Sequence, residues 1–324
     1  MFRKILLAAG AVFVVLSSGL APAQAQSWPS KPIKMIVGYP PGGGADVIAR
    51  ILAERLTRSL GQQVVVENRA GASGTIGTTA VVRADPDGYT VLLATISDLS
   101  IAPAMTKLPF DVEKDLHPVT QVARGPYLLV ANPNFPPNTL PELVAYVKAN
   151  PGKVSYSSFG EKTLPHLFGE MFKAAAGIDS LHVPYKGSGP SIADLVGGQI
   201  QYSFDNPAVT LALVKGGKLK ALAVTSTTRL PGADSIPTVV EGGQPELVGG
   251  TWYGLMAPAK TPRPIIDRLN AEMVAILKSP EMVKLLEDRY FQPVGNSPEE
   301  FGRYISREIA QWRVLGAKIG LKPE

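Results

Sequence analysis

An α/β protein with two domains is the fold class this sequence predicts, and three observations carry that prediction. Short β-rich runs alternate with helical patterns along the chain, which argues strand–helix units and largely parallel sheets. At 324 residues the chain is about twice the length of an ordinary domain. A hydrophobic fraction of 45% supplies enough apolar side chain for two cores.

Taken in order, strands are expected at Ile33–Val37, Val64–Glu67, Thr90–Ala94, Tyr127–Ala131, Val154–Ser157, Gln201–Phe204, Leu219–Thr225 and Tyr253–Ala257, each a short apolar or β-branched run. The helices between them have readable ends. Val47, Ile48, Ile51, Leu52, Leu56 and Leu60 recur as one apolar stripe, and Gly61 stops it. Thr139 with Glu142 three residues on is a capping box, and Ser297 with Glu300 is another, with Pro298 at the first helical position. Thr261-Pro262 and Ser279-Pro280 open two more helices in the same way. No repeat or low-complexity tether interrupts the pattern, so domain boundaries fall in ordinary connections.

The first residues predict export. Arg3 and Lys4 precede an apolar run from Ile5 to about Leu20, and Ala23-Gln24-Ala25 has the small-x-small form of a signal-peptidase site. That run of 16 residues, broken by Gly10, Ser17, Ser18 and Gly19, is short for a hydrocarbon core of about 30 Å. Cleavage near Ala25 would leave a mature chain in the periplasm. The chain has no cysteine, which excludes disulfides, thiolate metal sites, a cysteine nucleophile and a lipid-anchored cysteine. Loss of Arg3 and Lys4 lowers the formal charge from +5 to +3, spread without a run of like charges, so neither nucleic acid nor an anionic membrane is an expected partner.

The stretch VGYPPGGGADVIARILAERL, Val37 to Leu56, places three glycines between an apolar strand and an amphipathic helix. Glycines let a ligand approach bare backbone N–H groups, and the helix start adds about half a positive charge. Ligands in α/β sheets bind at the carboxyl ends of strands, where this loop lies. A plain glycine-rich turn with Asp46 as cap is the competing reading. A P-loop requires Gly-Lys-Ser/Thr, but Ala45-Asp46 follows Gly44, and neither this loop nor Gly71, Gly74 and Gly77 has dinucleotide-fingerprint spacing. His117, His166 and His182 form no metalloprotease pattern, and no Gly-x-Ser-x-Gly elbow presents a serine. Asp98 and Asp205 follow expected strands and are suited either to acid/base work or to accepting ligand hydrogen bonds. Glycine amides, hydroxyls and aromatics without an activated nucleophile suit holding a molecule better than transforming it.

Six segments then occur in order: YPPGGGADVIAR, VVVENRAGASGTIG, ADPDGYTVLLAT, HVPYKGSGPSIADLVGGQIQYSFDN, GKLKALAVTS and TWYGLMAPAKTPRPIIDRLN. Together they span essentially the whole mature length, and the chain resembles the extracytoplasmic solute receptors of tripartite tricarboxylate transporters, the Bug-type receptors. The resemblance implies a type II periplasmic-binding-protein fold with a ligand cleft and hinge between two α/β domains. One domain would combine residues 26–123 and 226–324, and the other would hold 124–225. It implies a carboxylate grip at Tyr39, Pro41, Gly42, Gly43 and Gly44, with Thr95, Ser97 and Asp98 nearby. It implies a second wall of Ser157, Ser158, Phe159, Thr163 and His166, then Tyr185, Lys186 and Gly187, then Asp205 and Asn206, with Trp252 and Tyr253 at the rim or floor. Each has a plainer alternative: His166 anchoring a helix, Tyr185-Lys186-Gly187 forming a turn, Trp252 filling the core.

The partners implied are a small carboxylate and the membrane permease of such a transporter, for a monomeric receptor without cofactor or metal. A subunit docking on a sensor kinase is an alternative, and a periplasmic hydrolase or isomerase using Asp98 and Asp205 is a third. Two departures from the family pattern concern the ligand. The segment SSFGEKTLPH brings Phe159, Glu161 and Lys162 where smaller residues are usual, and TISDLSIAPA places Asp98 and Ala102 in the loop after a strand. An aspartate facing the cleft would repel a second carboxylate, which favours a monocarboxylate bearing a hydrogen-bond donor or an aromatic ring.

Overall fold

A computed structural model of the chain describes residues 28–318 and 320, so the expected signal segment 1–25 and its cleavage site lie outside the described residues. The described chain builds two lobes, each on one mixed sheet. In the first, β1 (Ile33–Val37) lies parallel to β2 (Val64–Asn68) and β3 (Thr90–Thr95). Antiparallel strands complete it: β10 (Gly250–Pro258) beside β3, then β4 (Leu116–Pro126) and β11 (Gln292–Pro293). In the second lobe, β6 (Ser155–Ser158) is parallel to β7 (Leu181–Pro184) and β8 (Tyr202–Asp205), while β5 (Leu128–Ala131) runs antiparallel to β8 and to β9 (Lys220–Val224). The sheets are therefore less parallel than the alternation suggested. The chain re-enters the first sheet along β10 from the other lobe, so that strand runs against its neighbours.

Helix α1 (Gly44–Leu60) follows the predicted stripe with one adjustment. Ile48, Leu52, Leu56 and Leu60 are buried, but Ala49 and Ala53 complete the buried face in place of the half-exposed Val47 and Ile51. Gly61 ends the helix at φ 68°, its N–H on the Thr57 carbonyl, a left-handed cap that glycine adopts without strain. Helix α2 spans Thr75–Val82. On the second lobe lie α3 (Leu140–Ala149), α4 (Leu164–Ala176), α5 (Ser188–Val196) and α6 (Pro207–Lys215). In α4, Phe168 and Phe172 turn inward onto Phe204 of β8, with ring centroids 5.3 and 6.4 Å away. The chain closes with α7 (Arg263–Lys278), α8 (Pro280–Glu287) and α9 (Pro298–Lys318) on the first lobe.

The predicted caps differ in fate. Ser297 and Glu300 exchange side-chain to backbone hydrogen bonds at 3.0 and 3.2 Å, a reciprocal box. Ser279 caps α8 through Met282 N. Thr139 accepts from Glu142 N, although the Glu142 carboxylate reaches Asn138 N instead. Thr261 does not cap α7: Pro262 occupies that position, and Thr261 Oγ1 has no hydrogen-bond partner.

The chain crosses between lobes at two adjacent places. It leaves along β4, which ends at Pro126, and enters β5 at Leu128. After β9, residues 226–247 stay with the second lobe, where Leu230, Ala233 and Ile236 pack with Leu128 and Val130. The return comes at Gly250, which pairs with Pro126. A Cβ on Gly250 would lie 2.2 Å from the Gly125 carbonyl oxygen, so the two crossings meet backbone to backbone.

Candidate functional site

Three helices begin where the lobes face each other, and none carries its own side-chain cap. The cap positions are Gly43 for α1, Gly187 for α5 and Asn206 for α6. The first N–H groups of a helix have no intrahelical acceptor, and each start carries about half a positive charge. The arrangement follows from the strand–loop–helix order: α1 follows β1, α5 follows β7 and α6 follows β8, so these loops all sit at strand carboxyl ends.

Between them lies a small cavity of about 30 Å³. The first lobe contributes Tyr39, Gly43, Gly44, Ala45, Thr95, Ser97, Thr251 and Tyr253; Tyr127 at the crossing and Phe159, Ser188 and Asn206 from the second lobe close it. The lining contains no lysine, arginine, histidine, aspartate or glutamate. Its polar character comes from hydroxyls, one carboxamide and backbone amides, and Phe159 supplies an apolar face edge-on to Tyr127 at 6.3 Å.

The lobes touch around the cavity. Leu164 N, at the start of α4, donates to Ser97 Oγ at 3.1 Å, and Ser73 Oγ donates to the Glu161 carbonyl at 2.9 Å. Tyr253 donates to Asn206 Oδ1 at 3.3 Å. Ser97 opens a wide π-type turn, Ser97–Ile101, which carries its hydroxyl to the cavity.

The residues expected at the site are not all in its wall. Tyr39, Gly43, Gly44, Thr95, Ser97, Phe159 and Asn206 line the cavity; Pro41 and Gly42 are exposed at the loop's outer edge. Gly187 abuts Pro40, where a Cβ would lie 2.6 Å from the proline ring. Several polar residues stand behind the wall, their hydrogen bonds already used. Ser157 accepts from Ser191 at 2.8 Å, Ser158 meets His182 Nε2 at 2.7 Å, and Thr163 donates to the Gly160 carbonyl at 2.7 Å. His166 Nδ1 accepts the Lys162 N–H at 2.9 Å, which makes His166 an anchor of the loop ahead of α4. Tyr185 donates to Asp194 at 2.6 Å as part of a turn, and Lys186 is exposed to solvent.

Trp252 is core. It is 2% exposed, packs edge-on against Phe301 and Tyr304, and donates to Glu308 at 3.2 Å. Side chains alternate along a strand, so Thr251 and Tyr253 of β10 face the cavity while Trp252 faces away. Ser188, Tyr127, Ala45 and Thr251 escaped sequence reasoning. The signal for Ser188 was its place as the first helical residue after Gly187, and strand alternation beside Trp252 marked Thr251 together with Tyr253.

The two aspartates share one arrangement on opposite lobes. Tyr39 donates to Asp98 Oδ1 at 2.6 Å, and Thr95 N donates to its other oxygen at 2.8 Å. Ser188 donates to Asp205 Oδ2 at 2.6 Å, and Asn206 N donates to Oδ1 at 2.6 Å. Burial raises both acids, Asp98 to about 6 and Asp205 to about 7, against those hydrogen bonds. Asp98 thus sits behind Tyr39 rather than facing the cleft, so the direct contact with a ligand expected of it is not made by the wall. Asp46 is different: burial raises it, but hydrogen bonds from Arg50, Gly42 N and Asn68 hold it below the ordinary range. It braces the glycine loop from beneath.

Among the described residues, no group of three or more His, Cys, Asp and Glu is placed to hold a metal, and no helix is long and apolar enough to cross a membrane.

Known proteins share this sequence pattern and fold. The sequence pattern of the tripartite tricarboxylate transporter family receptor matches residues 48–321. The chain is similar to protein BugT of Bordetella pertussis, 39% identical over 323 residues, covering 97% of this chain and 98% of the relative. Among solved structures it resembles an R. palustris protein with adipate, at 32% identity and TM-score 0.89, covering 92% of this chain and all of that one. It also resembles MatC from Rhodopseudomonas palustris with bound malate, at 30% identity and TM-score 0.84, covering 89% of this chain and 99% of that one.

Proposed function

The chain belongs to the tripartite tricarboxylate transporter receptor family, and from that premise we propose that it captures a small carboxylate between its lobes and presents it to the permease of such a transporter. The observation that carries this reading is the convergence of three uncapped helix starts on a cavity whose wall has no charged side chain. An anion there is held by backbone N–H groups and helix dipoles, which need no counter-ion and lose no side-chain entropy. The two solved neighbours carry adipate and malate, both small carboxylates.

The site proposed from the sequence narrows to its wall residues: Tyr39, Gly43, Gly44, Thr95, Ser97, Phe159 and Asn206, joined by Ser188, Thr251 and Tyr253. Of the other expected residues, Asp98, Ser157, Ser158, Thr163, His166, Tyr185, Gly187 and Asp205 stand behind or beside that wall, whereas Pro41, Gly42 and Lys186 are exposed and Trp252 is core. A preference for a monocarboxylate with an apolar or aromatic body now rests on Phe159 and the uncharged wall rather than on Asp98. Export with cleavage near Ala25, a periplasmic location, a monomeric state and a purely binding role without catalysis complete the reading. For the domains the proposal is 26–123 with 226–324 against 124–225, and the packing of Leu230, Ala233 and Ile236 with Leu128 and Val130 favours a second boundary nearer Gly249.

The test is a thermal-shift screen of protein refolded free of co-purified solute, against benzoate, hexanoate, adipate and malate. A ligand at 100 times its dissociation constant adds about 2.7 kcal/mol, a shift of a few degrees. Larger shifts from benzoate and hexanoate than from the two diacids are expected. No shift from any of the four would remove the carboxylate reading.

A further inference from the structure

The wall residue Ser188 is committed to a buried acid. Its hydroxyl donates to Asp205 Oδ2 at 2.6 Å, Asp205 has no exposed surface, and Ser188 is 4% exposed. The remaining Asp205 oxygen takes the Asn206 N–H at 2.6 Å. Among the described residues, no lysine, arginine or histidine acts on the carboxyl. The titratable groups that feel it are the phenols of Tyr127, ahead of β5, and Tyr253, on β10, both held neutral by burial. Ser188 on α5 and Asn206 on α6 complete its surroundings. An anion entering the cavity therefore meets a second, uncompensated negative charge one hydroxyl away.

We infer that Asp205 takes up one proton from solvent when a carboxylate binds, and that Ser188 relays the change to the cleft. With Asp205 ionised, the only hydrogen of the Ser188 hydroxyl points at Asp205, and its lone pairs face the cavity, where they repel a carboxylate. With Asp205 protonated, the acid donates to Ser188 Oγ, and the hydroxyl hydrogen is free to donate to a ligand oxygen. One ligand anion, one Asp205 carboxylate and one proton thus give a complex with one net negative charge. Burial that already lifts Asp205 to about 7 makes uptake inexpensive near neutrality. Asp98 and Tyr39 repeat the motif on the other lobe, but the Tyr39 hydroxyl has a second acceptor in the Ser73 carbonyl at 3.2 Å, which competes with a ligand for the released hydrogen.

This inference rests on the carboxylate reading, and the experiment separates the two. Benzoate and adipate are titrated calorimetrically into the full chain from about pH 6 to about pH 9, in phosphate and in Tris, buffers of different ionisation enthalpy; benzoate stays ionised throughout. The expected result for benzoate is uptake of close to one proton at the alkaline end, with affinity falling toward tenfold per pH unit above the Asp205 titration. Asp205→Asn, whose amide donates permanently to Ser188, is expected to bind with the same affinity at every pH and with equal heats in both buffers. Ser188→Ala keeps the acid and removes the relay, and is expected to flatten the pH slope as well. Binding with buffer-independent heats in the unmodified protein would overturn the inference and leave the carboxylate reading standing. A slope that survives in both variants would overturn the assignment to this pair, and absence of binding by either acid at any pH would remove the reading and the inference together.

Discussion

Gly44, at the first turn of α1, stands so close to Asn206 of the opposite lobe that a Cβ built on it would lie 2.6 Å from Asn206 Nδ2. The same Cβ would lie 2.6 Å from the Tyr253 hydroxyl. Gly44 is thus the point at which the closed arrangement has no room for a side chain. Gly44→Ala is expected to weaken benzoate or adipate binding at least tenfold while ligand-free thermal stability changes by no more than a few degrees, since alanine suits a helix start. Calorimetric affinity and a melting curve decide it; unchanged affinity would mean that binding does not require this approach of the lobes.

Ser97→Ala removes the acceptor of the Leu164 N–H across the cleft. A buried N–H without a partner costs about 1–3 kcal/mol, all of it in the closed form. Ligand dissociation followed by stopped-flow fluorescence is expected to quicken by roughly five- to a hundredfold, with ligand-free stability near that of the unmodified protein.

His166 and His182 stack at 4.1 Å between ring centroids, and burial holds both below the ordinary imidazole range, His182 at about 4. A base whose folded-state pKa is depressed binds fewer protons folded than unfolded. Its contribution is therefore fully present above about 6.5 and is lost as pH falls toward 4. Chemical denaturation midpoints are expected to drop across that window, and His182→Gln to flatten the drop. A drop of equal size in the variant would place the acid sensitivity elsewhere.

Trp252→Ala empties a core position packed on Phe301 and Tyr304, at a cost of about 3–5 kcal/mol. The order of preference among benzoate, hexanoate, adipate and malate is expected to survive. A reordered preference measured on the folded variant would put Trp252 at the ligand.

The parallel trios and long helices were legible because their signals are local. Period-2 and period-3.6 apolar patterns and caps such as Ser279 and Ser297 act within a few residues. β4 was not read, since Pro118, Gln121 and Arg124 interrupt its apolar character and its pairing comes from β10, more than a hundred residues away. The short edge strand β7 is largely exposed and carries little pattern. At the site, the glycine loop was legible because conformational freedom is written in the residue type. The direction of Asp98 was not, because it depends on a tyrosine 59 positions earlier whose hydroxyl turns to meet it. Trp252 and Tyr253 differ only in strand phase, which the sequence leaves open until a neighbouring strand fixes it.

The two crossings carry a further consequence. Gly250 pairs with Pro126 and Thr251 with Gly125, so the connections between lobes form one ladder instead of two separate cords. Such a ladder resists shear and stretching, and the lobes keep essentially one coordinate of relative motion, rotation about the paired backbones. A single distance between the lobes then specifies the state of the whole molecule. One pair of fluorophores on exposed helices, α3 and α7 for instance, would read out solute capture in real time without a label near the cleft.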